Sequence, residues 1–156
     1  MGKPVHVSKV KVHKEPGNSK IKRIQIEGWP DVTRMGVHGG IAEFFKVSPD
    51  EPLPSTLDYL VAAIGGCMTG TIGGALEGRG LAAGPEKLEA FTEGILEDVD
   101  GKLLLTHVTV SYRIKVPKDK RDAAERALQF HGDRCPVSES VKRGITVEWK
   151  SEIVEE

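Results

Sequence analysis

The sequence predicts an α+β fold with antiparallel sheets on a central glycine-rich helix, and three observations predict it. Strand candidates crowd the first third, one long apolar helix follows them, and the remaining elements come in blocks instead of a strict strand–helix alternation. At 156 residues the chain suits one domain, 1–156, with enough length to bury a core.

Val5 and Val7, then Val10 and Val12, read as the opening strand, with a bulge expected near Ser8 and Lys9 where the alternation changes phase. "EPGNS" is a turn, Ile21, Ile24 and Ile26 belong to a second strand, and "IAEFFKV" (41–47) is the third strand candidate. After the proline-rich loop "SPDEPLPST", Ser55 and Asp58 have the spacing of a capping box, and Leu57, Leu60, Val61, Ile64, Met68, Ile72 and Leu76 follow at helical intervals. Each interior glycine weakens such a helix by about 0.5–1 kcal/mol relative to alanine. Gly66, Gly70 and Gly74 recur every fourth residue, so their expected purpose is a smooth stripe for close packing. The same spacing occurs in transmembrane dimers, but Asp58 lies within the stretch and no Lys/Arg cluster flanks it, which favours a buried helix. The helix is expected to stop at Gly78 or Gly80.

In the second half, "KLEAFTEGILE" and "LLTHVTVSYRIKV" form two strands, the latter alternating from Leu104 to Val116. "PKDKRDAAERALQF" is an amphipathic helix, and "CPVSESVKRG" a shorter one capped by Cys135, with Pro136 at its first position and Gly144 after its end. "ITVEW" closes the chain as a last strand.

Lys and Arg total 22 against 23 Asp and Glu, so charge supplies no broad attraction to nucleic acid or to a membrane surface. The opening "MGKPVHVSKV" lacks the apolar core of a signal peptide, and a cytoplasmic location is expected. Five dispersed histidines and two cysteines make no metal-ligand spacing, and no cofactor is expected. Redox or nucleophilic thiol chemistry is therefore worth weighing, and a metal site could form only from spatial neighbours. Cys135 has the stronger local case: a helix N-terminus beside Arg134 and near His131 favours a thiolate. Cys67 by itself reads as a small core residue.

Taken together, "LDYLVAAIGGC...LEGRGL" and "HGDRCPVSESVKRGITVEW" resemble the OsmC/Ohr family of thiol-dependent peroxidases, over nearly the whole chain. The resemblance implies an intertwined homodimer with sites at the subunit interface and an antioxidant, stress-response activity on organic hydroperoxides. It makes Cys67 the peroxidatic thiol and Cys135 the resolving one, with reduction by a dithiol such as a lipoylated protein or thioredoxin. Metal and flavin are not required. The match departs where Leu57 stands in place of a family glutamate and where the first hairpin, "HKEPGNSKIKR", has no arginine in its turn. Arg23 and Arg34, which no family motif matches, are the arginines expected to reach the thiol in a dimer, and His131 and Arg134 are the further supports near Cys135. Two non-enzymatic readings stay open beside this one: a dimer binding a small ligand between its helices, and a structural dimer with inert cysteines.

Overall fold

The computed structural model describes residues 2–145, 147, 148 and 150. It is an α+β chain of two compact units, one made of residues 1–61 and 94–108, the other of 62–93 and 109–156.

In the first unit, β1 (Val10–Glu15), β2 (Asn18–Ile26) and β3 (Val32–Met35) form an antiparallel sheet in that order. Residues 5–7 precede the first strand, and the shift in register falls at Lys14/Glu15 instead of Ser8/Lys9. Pairing of Val10 with Ile26 and of Val12 with Ile24 gathers these apolar side chains on one face. The third strand is "VTRM" at 32–35, and the segment expected to supply it, 41–47, contains helix α1 (Gly39–Phe44). The run "IAEFF" is short, so its apolar content fits a helix turn as well as a strand. The structure resolves it as a turn that buries Ala42, with Ala42 N–H bonded to the His38 carbonyl at 3.1 Å.

Helix α2 (Thr56–Glu77) begins with the expected box. Ser55 Oγ accepts from Asp58 N–H at 3.2 Å, and Asp58 Oδ2 accepts from Ser55 N–H at 2.6 Å and from His38 Nε2 at 2.8 Å. Burial pushes the Asp58 carboxyl up, but the Ser55 hydroxyl, His38 and the Ser55 N–H together hold it below its ordinary value. At the other end Leu81 N–H reaches the Leu76 carbonyl at 3.0 Å and Gly80 N–H the Glu77 carbonyl at 2.9 Å. This is a Schellman closure, for which Gly80 supplies φ +72°.

Strands β4 (Leu88–Val99) and β5 (Lys102–Ile114) pair as a two-stranded sheet around Asp100-Gly101, whose φ values of 53° and 79° suit a tight primed turn. A 3₁₀ turn at 118–120 leads into α3 (Arg121–His131), and a second at 132–134 leads into α4 (Pro136–Arg143). The core of the second unit joins Ile72 and Leu76 of α2 to Leu81 and to Ala124 and Ala127 of α3, with Leu88, Tyr112 and Ile114 packed against it. Helix α2 is long and apolar enough to cross a membrane by composition, with mean hydropathy 1.4; its Ile72 and Leu76 are instead fully buried in this core.

The glycines of α2 that meet close neighbours differ from those the spacing picks out. A Cβ on Gly65 would run into the Thr92 side chain and one on Gly73 would touch Leu88, whereas Gly66, Gly70 and Gly74 face open space within this chain. The last expected strand, 145–149, falls partly on Thr146 and Trp149, which lie outside the described residues; Ile145, Val147 and Glu148 belong to no regular element.

Candidate active site

Cys135 is placed by a local code. Pro136 starts α4, and Cys135 occupies the N-cap with φ −76° and ψ 115°. Its carbonyl accepts Glu139 N–H at 2.9 Å, while the side chain is 0% exposed. Backbone N–H groups in a helix's first turn have no intrahelical acceptor, and those of Val137 and Ser138 lie near enough to favour the Cys135 thiolate. Cys67, half-buried in the middle of α2, places its thiol close enough to Cys135 for each to shift the other's ionisation. Both are free thiols.

Thr71, one turn beyond Cys67, had no place among the expected site residues. Its hydroxyl bonds the Cys67 carbonyl at 2.9 Å and is in contact with both sulfurs. The signal was available in the sequence, because positions i and i+4 share a helix face.

The electrostatics divide the pair. Burial pushes the Cys135 thiol up, but the Ser138 N–H, the Cys67 thiol, the Thr71 hydroxyl and the Val137 N–H outweigh it, and the net displacement is downward. Burial first, and the nearby Cys135 with it, push Cys67 up against the opposing Val137 N–H and Thr71, so Cys67 ends above the ordinary thiol value. The first proton therefore leaves Cys135, and the Cys67 S–H donates to the resulting thiolate.

A half-buried tyrosine and a buried histidine adjoin Cys135. His131 Nδ1 lies 2.7 Å from the Leu128 carbonyl, which only accepts, so Nδ1 carries the proton and Nε2 accepts the Tyr112 hydroxyl at 3.0 Å. Burial, and secondarily the negative charge on Cys135, push Tyr112 up to about 12. His131 thus has both ring nitrogens engaged away from the sulfurs. Arg134 is exposed in the turn before Cys135.

Arg23 and Arg34 lie in the first unit and converge on a carboxylate. Arg34 forks onto Glu15 at 2.7 and 2.6 Å and onto Glu51 at 2.7 Å through each Nη, and Arg23 Nη1 reaches Glu15 at 3.3 Å. The Arg34 hydrogen bond holds the Glu15 carboxyl below its ordinary value, and Arg34 is correspondingly raised.

Two adjacent thiols, one stabilised as thiolate by a helix N-terminus and one partly open to solvent, can surrender two electrons by joining as a disulfide. Comparison with known proteins places the chain in a family. The OsmC-like protein family matches residues 49–150. No curated protein sequence matches the chain. Among solved structures, the organic hydroperoxide resistance protein OhrB of Bacillus subtilis aligns with TM-score 0.61 at 16% identity, covering 89% of this chain and 92% of its own. The organic hydroperoxide resistance protein OsmC from Legionella pneumophila aligns with TM-score 0.63 at 12% identity, covering 90% and 92%. An OsmC-like protein of unknown function from Vibrio cholerae aligns with TM-score 0.62 at 13% identity, covering 88% and 93%. At these identities the structures speak for the fold, and the family match spans most of the chain, both cysteines included. The chain belongs to the OsmC-like protein family.

Proposed function

We propose that the whole chain, 1–156, acts as one OsmC-like domain that reduces organic hydroperoxides through Cys67 and Cys135, as a cytoplasmic homodimer. The observation that carries this reading is the contact between a half-exposed thiol and a buried one held at the start of α4.

Exposure makes Cys67 the attacking sulfur, and the Cys135 thiolate is the base at hand to take its proton. The Cys67 thiolate then attacks the terminal oxygen of R–O–O–H and the O–O bond breaks. The alkoxide RO⁻ takes the proton now on Cys135 and leaves as the alcohol. Cys67 is oxidised to a sulfenic acid, and the Cys135 thiolate is restored. Its attack on the Cys67 sulfur closes the disulfide and expels hydroxide, which solvent protonates. An external dithiol, such as a lipoylated protein or thioredoxin, returns both cysteines to thiols by exchange. The internal base lets Cys67 ionise without an arginine at its side.

Reduced protein mixed with cumene hydroperoxide is expected to consume it and to lose two hydrogens by mass. Cys135→Ser should stop at a dimedone-trappable sulfenic acid on Cys67, and Cys67→Ser should abolish the fast reaction. Thiols that oxidise no faster than free cysteine would instead support a ligand-binding or structural dimer.

A further inference from the structure

Within the second unit, a groove of about 190 Å³ runs between the last turns of α2 and α3. Thr71 lines it and is also a neighbour of both cysteines, so one end of the groove lies beside the thiol pair. Gly74 leaves one wall without a side chain, and Phe130, 51% exposed, gives an apolar face to another. His131 offers only its ring, both nitrogens being engaged. Arg79 and Arg134 are also among the lining residues, and no Asp or Glu is. Arg79 gives one N–H to the Ala75 carbonyl at 2.8 Å and keeps the rest of its fork. Among the described residues neither arginine has a carboxylate partner, as is also true of Arg113 and Arg126, whereas Arg23, Arg34, Arg121 and Arg143 are in ion pairs.

We infer that this groove binds small carboxylate-bearing ligands through Arg79 and Arg134, which makes anionic organic hydroperoxides the preferred substrates of the peroxidase proposed above, on whose reading the substrate assignment rests. A guanidinium fork matches a carboxylate in shape and charge. The volume fixes the size: a cavity of about 150 Å³ accepts benzene, so the groove suits one substituted ring with its hydroperoxide toward Thr71 and its carboxylate toward the arginines.

The test compares cumene hydroperoxide with its para-carboxylate at low ionic strength. The carboxylated peroxide should have the higher kcat/KM, by about five- to tenfold for contacts of this exposure, carried mainly in KM and fading in salt. The ratio of the two kcat/KM values should fall to about one in Arg79→Gln/Arg134→Gln and invert in Arg134→Glu. Equal kcat/KM in the unmodified protein overturns the inference and leaves the peroxidase reading standing. Should neither peroxide be consumed, the peroxidase reading falls, and 4-isopropylbenzoate judges the groove: slower iodoacetamide alkylation of Cys67 in the unmodified protein but not in the double variant supports carboxylate binding, and no slowing overturns it.

Discussion

Thr71 sets a question of proton placement. Its one O–H proton has three acceptors within contact: the Cys67 carbonyl and the two sulfurs. When Cys135 ionises, donation to the thiolate is the stronger bond, since hydrogen bonds to charged acceptors exceed neutral ones. Thr71→Val keeps the shape and removes the donor, so the first step of the thiolate absorbance titration should move to higher pH, with about tenfold less thiolate at neutral pH; Thr71→Ser should restore it. Coincident titrations of Thr71→Val and the unmodified protein would show that the backbone N–H groups alone stabilise Cys135. The two steps belong to the coupled pair and are to be read as such. At this scale the sequence was informative wherever the code is local. Cys135 before Pro136 announces an N-cap, and Thr71 sits one helical turn from Cys67. The Tyr112–His131 contact joins a strand to a helix across 19 positions, and no periodicity carries such a pairing.

Helix α2 shows what elements add to residues. Its start and stop were legible because Ser55-x-x-Asp58 and Gly80 satisfy orphaned backbone groups by short-range rules. Which glycines matter was not legible, since that depends on what packs against them. Gly65 faces β4: the Thr92 Cβ would lie 2.9 Å from an added methyl carbon, closer than real Cβ atoms come. Gly65→Ala should therefore destabilise the fold by about 1–3 kcal/mol from overpacking, less about 0.5–1 kcal/mol returned by helix propensity. Urea midpoints check this, and the same substitution made on Thr92→Ala should cost less, because two of the three crowding atoms are gone. An unchanged cost would locate the strain elsewhere in the helix. The misread element, 41–47, has a related cause: a short apolar run carries too few periods to separate helix from strand, while the four-residue β3 that replaces it is held by its neighbour β2 more than by its own composition.

For the molecule as a whole, the block order of strands and helices was enough to predict α+β, and the paired cysteine segments were enough to suggest the family that the match over residues 49–150 shows. Assembly was harder to read because it depends on what a single chain leaves uncovered. One face of the first sheet carries Val10, Val12 and Ile26 at 49%, 57% and 49% exposure, with Val10 opposite Ile26 and Val12 opposite Ile24 by register. An antiparallel sheet can face water on one side, but the wet side is then polar, and contiguous apolar patches of this kind mark contact surfaces. A second copy of the chain is the occupant that the proposed homodimer supplies. A two-fold dimer places the same patch on both partners, so a charge introduced there is felt twice and repels itself across the axis. Sedimentation equilibrium should return twice the 16.9 kDa chain mass at micromolar concentration, and Val12→Lys should lower it toward one chain while the far-ultraviolet circular dichroism is kept. A single-chain mass for the unmodified protein across that range would overturn the dimer, and with it any active site that needs two subunits; the thiol pair, both members of which lie in one unit of one chain, would remain.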